Sequence, residues 1–300
     1  MSVVPSTVLP STGVAARTRR FAWLRATLFA DPRATIGFLI LMLVAGTALF
    51  GPVLHPYDPT KPDFLNALSP PSTEHWFGTD DLGRDILARV IAGAQVSLFV
   101  GLISVGGSAT VGTTIGVLAG FYRGWVDAVL MRCMDVLFAF PPVLLALGIT
   151  AALGPSLTNA MIAISIVYLP VFARLSRGQT LVARELAFVE ADRAMGFSDV
   201  AIMVRAIAPT IAPPLLVQAS LLFADAIITE SYLSFLGLGI QPPQPSWGAM
   251  LKNAIGFLTL APWMAWFPGL AIFVAVLGLN LVGDGLRDRF DPRTRLREGG

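Results

Sequence analysis

Long apolar stretches with almost no charged side chains constrain this sequence more than any other feature. They cover residues 34–54, 90–122, 136–173, 210–238 and 263–283. About 20 apolar residues are enough for a helix to cross a bilayer, and charged side chains are costly inside it. Because Gly154 and Pro155 divide the 136–173 stretch, we expect two helices there. The sequence therefore predicts an all-α membrane protein with six transmembrane helices.

The composition argues against several other classes of protein. Hydrophobic residues make up 55% of the chain and charged residues only 13%, unlike a soluble globular domain. Cys133 is the only cysteine, and both His55 and His75 lie far from it, so we expect no disulfide and no metal site. Neither of the two lysines, Lys61 and Lys252, follows a glycine as the phosphate-binding loop of an ATPase requires. We expect no catalytic residues and no cofactor in this chain.

A charged segment between two apolar stretches, residues 184–209, must lie outside the bilayer. Its pattern predicts two short helices joined at Gly196, where a left-handed turn is needed. Ser198 is placed to cap the second helix, and Pro209 is placed to end it. Apolar side chains recur in that helix at i, i+3, i+4 and i+7, as Val200, Met203, Val204 and Ile207. Without a core of its own, this apolar face is expected to bind a partner.

The order of residues in this segment resembles the signature loop of ABC importer permeases, which docks on an ATPase subunit. The matching residues are Glu190, Ala191, Gly196, Ile207 and Pro209. Asp192 stands where that family usually has alanine. The resemblance implies that Glu190 contacts the ATPase surface and that Gly196 sets the bend between the helices. It also implies that the apolar face around Met203 and Ile207 fills a groove on the ATPase.

Further motifs make the resemblance more specific. The sequence contains GTDDLGRD followed by GAQVSLFVG, then RCMDVLFAFPP, SYLSFLGLGIQPPQPSWGAML, FPGLAIF and LNLVGDGLRDRFDPR. Together these are similar to the C-type permease of dipeptide and oligopeptide ABC importers, a group that includes glutathione and nickel permeases. The resemblance implies the type I importer fold, also called MetI-like. It further implies a second permease, two ATPases that bind ATP and Mg²⁺, an extracytoplasmic binding protein and a peptide substrate, with no nucleic acid partner.

The distribution of positive charge indicates the orientation of the chain. With six spans and a cytosolic N-terminus, every lysine and arginine falls on the cytosolic side except Lys61, Arg84, Arg89 and Lys252. We therefore expect a multi-pass protein of the bacterial inner membrane with both termini in the cytosol. Its predicted parts are a cytosolic tail (1–33), a first helix (34–54), an extracytoplasmic loop (55–89), a permease domain (90–283) containing the cytosolic loop 184–209, and a second cytosolic tail (284–300).

Two carboxylates, Asp225 and Glu230, lie inside the fifth apolar stretch. An ionisable side chain there indicates either a functional site or a polar partner between helices. Gln218, Asp225 and Tyr232 are spaced by seven and fall on nearly one helical face, which would line a path for a peptide. Glu230 is turned by roughly 140° from Asp225 at about 100° per residue, so we do not expect it on that face.

Two alternatives remain open from the sequence. A secondary transporter driven by an ion gradient would use Asp225 and Glu230 as proton or sodium sites, but the sequence has no evident inverted repeat. A nickel permease of the same family is the second alternative, and it is less favoured because neither histidine lies in an apolar stretch.

Overall fold

The computed structural model of the protein describes residues 32–290, which are mostly helical. The α-helices are α1 (Pro32–Leu54), α2 (Ile86–Tyr122), α3 (Gly124–Phe138), α4 (Pro142–Leu153), α5 (Leu157–Ala183), α6 (Ala187–Ala194), α7 (Asp199–Ile202), α8 (Ala208–Phe235), α9 (Trp247–Ala254) and α10 (Trp263–Phe290). Short 3₁₀ turns lie at Phe64–Asn66 and Ile255–Phe257. The two predicted tails, 1–33 and 284–300, fall mainly outside the described residues.

Among the described residues, five helical segments are long and apolar enough to cross a membrane. They are Pro32–Gly51, Ile86–Tyr122, Leu157–Ala183, Asp199–Phe235 and Trp263–Arg289. Helices α3 and α4 pass the same test together, but they are bent by 90° relative to each other. Counting this pair as one broken span gives the predicted number of six, and the all-α membrane fold is confirmed.

The helix expected at the start of the 136–173 stretch differs from the prediction in length and direction. α4 has 12 residues, which is too short to cross a bilayer, and α3 leads into it through residues 139–141. We refer to residues 139–141 as the elbow. Pro141 and Pro142 explain the break, because proline lacks an N–H donor and disfavours a helical conformation in the residue before it. Pro142 then lies in the first turn of α4, where proline is tolerated.

A row of glycines brings α2 close to α5. Gly112, Gly116 and Gly120 lie four residues apart on α2. A Cβ atom added at Gly112 would lie 2.8 Å from the carbonyl oxygen of Leu169, and one at Gly120 would lie 2.8 Å from Cβ of Thr180. Small residues at this spacing let two helix backbones approach closely. The contact between α2 and α5 therefore depends on the absence of side chains along this row.

The segment between α1 and α2 is ordered and contains buried charges. Asp85 is the N-cap of α2, and its Oδ1 accepts a hydrogen bond from the N–H of Ala88 at 2.7 Å. His75 Nδ1 lies 2.9 Å from the other carboxylate oxygen of Asp85. Arg84 Nε donates to Asp80 Oδ2 at 2.7 Å. Residues 55–89 were predicted to form an ordered loop. The last four of these residues belong to α2, which begins at Ile86.

The second helix predicted within 184–209 does not end at Pro209. Helix α7 continues through a π-helix, Met203–Ile207, directly into α8, so Asp199–Phe235 forms one continuous run. Pro209 lies in the first turn of α8, where a residue without an N–H is tolerated. The charged segment is therefore joined to the next span without a flexible break.

We expect Gly116→Ala to destabilise the packing of α2 against α5. The added Cβ would lie 2.8 Å from the backbone nitrogen of Arg177, and overpacking of this kind costs about 1–3 kcal/mol. The measurement is the thermal midpoint of the detergent-solubilised protein. Gly106→Ala on the same helix is the control, because its Cβ would meet nothing within 4 Å. Equal midpoints for the two variants would contradict this account of the packing.

Candidate functional site

The charged segment 184–209 folds as two helices around a left-handed glycine. Gly196 has a φ of +80°. The N–H of Gly196 donates to the carbonyl of Arg193 at 3.0 Å, and the N–H of Phe197 donates to the carbonyl of Asp192 at 3.1 Å. This pair of hydrogen bonds is the Schellman motif that ends α6. Ser198 Oγ then accepts from Ala201 N–H and caps α7. The predicted bend and cap are both confirmed.

The apolar face predicted for the second helix is divided in the structure. Met203 is 7% exposed and Ile207 is fully buried. They pack in one cluster with Val117, Phe121, Ala183, Val189, Ile202 and Ile211. The expectation that Met203 and Ile207 face a partner is therefore wrong, because the ends of α2 and α5 already cover them. The π-helix at Met203–Ile207 changes the helical period, so the i, i+3, i+4 and i+7 positions do not form one face.

A different set of side chains on this segment faces outward. Glu190, Ala191, Gly196 and Pro209 are exposed, as a docking role would require. Beside them lie large apolar side chains that are 44–67% exposed, namely Phe188, Met195, Phe197, Val200 and Val204. We name Glu190, Ala191 and these five residues the outer loop face. The sequence reasoning missed Phe188, Met195 and Phe197, although apolar side chains within a charged helix were a usable signal.

Polar contacts fix the base of the segment to the end of α2. Arg123 Nη2 donates to Glu185 Oε1 at 2.6 Å. Arg184 donates to the carbonyl oxygen of Phe121, and the guanidinium of Arg193 lies 5.3 Å from the Phe121 ring centroid. Burial, and then the neighbouring Arg123 and Arg193, lower the pKa of Arg184. An arginine stays protonated at physiological pH, so the base of the segment keeps its positive charge.

Asp225 opens onto a cavity of about 400 Å³. Its lining is mostly apolar, from the elbow region, α4, α5 and α8, with Tyr168, Thr229 and Tyr232 as the other polar groups. The hydroxyl oxygens of Tyr168 and Thr229 are 3.2 Å apart. Within residues 32–290, no basic side chain forms an ion pair with Asp225. We name this space the Asp225 cavity. The sequence reasoning identified Asp225 and Tyr232 but missed Tyr168, which lies on another helix.

The other two residues of the predicted polar set lie elsewhere. Gln218 is half-buried and is not among the residues that line the Asp225 cavity. Glu230 is fully buried, and Ser234 Oγ donates to its Oε1 at 2.6 Å. Glu230 Oε2 has no hydrogen-bond partner among the described residues. Asp225 and Glu230 therefore do not share a face, as the helical period predicts, and Glu230 packs inside the protein.

Comparison with known families matches two regions of the chain. Residues 112–296 match the binding-protein-dependent transport system inner membrane component family. Residues 21–71 match the N-terminal TM domain of oligopeptide transport permease C. The two regions together cover the first helix and most of the rest of the chain, including the charged segment and the residues of the Asp225 cavity.

Several curated proteins are similar over most of their length. The dipeptide transport system permease protein DppC of Alkalihalophilus pseudofirmus is 46% identical over 264 residues, which is 87% of this chain and 86% of that protein. The glutathione transport system permease protein GsiD of Pectobacterium atrosepticum is 46% identical over 260 residues, or 86% of each chain. GsiD of Escherichia coli O157:H7 is 48% identical over 259 residues, which is 86% of this chain and 85% of that protein.

The fold is also similar to a solved structure, the MetNI methionine ABC transporter in an inward-facing conformation. The TM-score is 0.56 at 16% identity, over 69% of this chain and 98% of the other. At that identity the likeness concerns the fold alone, which is that of a type I ABC importer permease. By its sequence relatives and its fold, the chain belongs to the permease family of binding-protein-dependent ABC importers, in the C-type branch of dipeptide and oligopeptide systems.

Proposed function

We propose that this chain forms half of the translocation pathway of a peptide importer of the inner membrane. The observation that carries the proposal is its similarity over 86–87% of its length to permeases named for dipeptide and glutathione transport. The substrate class that follows is short peptides, with glutathione as a close variant. Asp225, in a largely apolar cavity, would attract the ammonium group that such peptides carry.

The same proposal assigns the partners of the chain. A second permease would complete the pathway, and an extracytoplasmic binding protein would deliver the peptide. Two ATPase subunits would bind ATP and Mg²⁺, and one of them would dock on the outer loop face from the cytosol. The excess of lysine and arginine on that side supports a cytosolic position for segment 184–209 and for both termini. Tail 1–33, loop 55–89 and tail 284–300 would flank the permease helices.

The construction of the segment supports a role in transmitting force. Its inner face is buried against α2 and α5, and α7 continues into α8 without a break. Movement imposed on the outer loop face would therefore reach these helices directly instead of being absorbed by a flexible linker. Glu190 would supply the polar contact with the ATPase, and the exposed apolar side chains around it would fill a groove.

We expect Gly196→Val to uncouple ATP hydrolysis from transport while membrane insertion stays intact. A left-handed conformation costs a residue other than glycine about 1–2 kcal/mol, so the bend between α6 and α7 would change. The measurement is the ratio of ATPase rate to peptide uptake in the assembled transporter. Gly196→Asn is the matched control, because asparagine tolerates this conformation better. Normal coupling in the valine variant would count against the assigned role.

We expect Asp225→Asn to reduce peptide uptake at least several-fold in a transporter that still assembles. The substitution removes the negative charge from the cavity while keeping the size of the side chain. Glu230→Gln is the comparison, because Glu230 does not line the cavity and its loss should affect folding more than peptide uptake. Uptake by the Asp225 variant at the rate of the unmodified protein would remove Asp225 from the pathway.

The function itself is tested by reconstitution in vesicles. The chain reconstituted with a second permease, the ATPases and the binding protein should take up labelled dipeptide only when ATP is supplied. The chain alone should transport nothing. Competition by unlabelled glutathione would then distinguish a general dipeptide system from a glutathione system. Uptake by the chain alone, driven by an ion gradient, would refute the proposal.

A further inference from the structure

Two open spaces border the region where α3 ends. The Asp225 cavity reaches it through Leu137, Phe138 and Phe140. The second space is a cleft of about 510 Å³ between α3 and α5, which we name the charged cleft. Its charged lining residues are Asp127, Arg132, Asp135, Arg174 and Arg177. The end of α3 therefore separates a largely apolar cavity from a charged one.

One side chain of α5 holds the last turn of α3 by two contacts. Arg174 Nη2 donates to Asp135 Oδ1 at 2.7 Å. The guanidinium of Arg174 also lies 4.1 Å from the centroid of the Phe138 ring, a cation–π geometry. Asp135 and Phe138 are three residues apart and so lie on one face of the helix. Arg174 thus fixes both the last turn of α3 and the aromatic ring at the boundary between the two spaces.

Resting on the peptide-import function proposed above, we propose that Arg174 is the positioning residue of a gate formed by the last turn of α3 and the elbow that follows it. In this conformation it holds Phe138 between the Asp225 cavity and the charged cleft. Passage of a peptide from the cavity into the cleft requires Arg174 to release Asp135 and Phe138. The gate is therefore built from residues of this chain, and the second permease closes the other side of the pathway.

The contacts are suited to being broken and remade. The side chains of Arg174 and Asp135 are 43% and 49% exposed, and ion pairs with this exposure add little stability. The end of the elbow is stiff, because proline fixes its own backbone φ angle. Pro141 is the last residue of the elbow, and Pro142 begins α4. Movement of the last turn of α3 would therefore carry Phe138 and the following elbow residues together.

The position of Arg174 also connects the gate to the charged segment. From Arg174, α5 continues to Ala183, which is 2% exposed beneath the segment 184–209. A displacement of the outer loop face that moves the end of α5 would thus move Arg174 relative to α3. No other part of the chain has to transmit the motion.

A second ion pair in the same cleft supplies a matched control. Arg177 donates to both carboxylate oxygens of Asp127, with Nη2 at 2.6 Å from Oδ2. It joins the same two helices as Arg174, but it lies one turn away, and within the described residues no hydrogen bond, ion pair or ring contact joins it to Phe138. A variant at Arg177 therefore removes a charge and an ion pair from the cleft without touching Phe138.

The test uses the assembled transporter in vesicles loaded with labelled dipeptide, without ATP, and measures passive leak. We expect Arg174→Gln to raise the leak about three- to tenfold, since it removes both contacts that favour the closed state. Phe138→Leu should raise it less, and Arg174→Lys should give an intermediate value. Arg177→Gln should raise the leak clearly less than Arg174→Gln, because it removes a charge from the cleft but no contact with Phe138. The thermal midpoint of each variant is measured as well. A raised leak with an unchanged midpoint indicates a change at the gate, whereas a lowered midpoint indicates a general loss of packing.

The outcomes are distinguishable. Unchanged leak in Arg174→Gln, in a preparation that still takes up dipeptide with ATP, would overturn the gate while leaving the transport function in place. An equal rise in Arg177→Gln would also overturn it, because the effect would then belong to the helix pair as a whole. If Arg174→Gln does not assemble, Phe138→Leu decides by the same measurement. Absence of ATP-driven uptake by the unmodified transporter would instead refute the proposed function.

Discussion

Helices α2 and α5 approach each other closely because Gly112, Gly116 and Gly120 leave no side chains between them. In a bilayer, helices gain little from the hydrophobic effect by associating, since lipid is as apolar as their side chains, and close contact must hold them together. The ends of these two helices, at Phe121 and Ala183, form the surface on which the charged segment packs. Close packing of one helix pair therefore sets the position of the segment relative to the spans, and α3 and α4 are arranged around the same pair.

Much of the fold follows from local features of the sequence, and the exceptions have identifiable causes. The apolar stretches located the spans, and the glycine at 196 and serine at 198 located a helix end and a cap, because each of these signals acts within a few residues. The helix expected to end at Pro209 continues, since a proline in the first turn of α8 is tolerated after a π-helix. Pro141 and Pro142 indicate an interruption at the elbow, but the angle of 90° could not be predicted, because apolar composition does not distinguish a kinked helix from two short ones meeting at a right angle.

The candidate sites could be predicted only in part, for a similar reason. The 100° turn per residue correctly separates Asp225 from Glu230, because both lie within one regular helix. The same rule fails for Met203 and Ile207, because the π-helix changes the period at that point. Tyr168 and Arg174 depend on which helices become neighbours, and no pattern along α5 alone indicates that Arg174 meets Phe138. Sequence periodicity thus predicts faces within a helix but not the pairing of faces between helices.

The distribution of charge supports a polar pathway independently of the relatives. Buried charges near the start of α2 are paired, as Arg84 is with Asp80, and those of the charged cleft are largely paired, as Arg177 is with Asp127. Asp225, in α8, belongs to neither region and has no basic partner within residues 32–290. An ionised carboxylate inside a membrane is costly unless a partner or water compensates it. A hydrated pathway that admits a cationic group would compensate the charge of Asp225, whereas surrounding lipid would not.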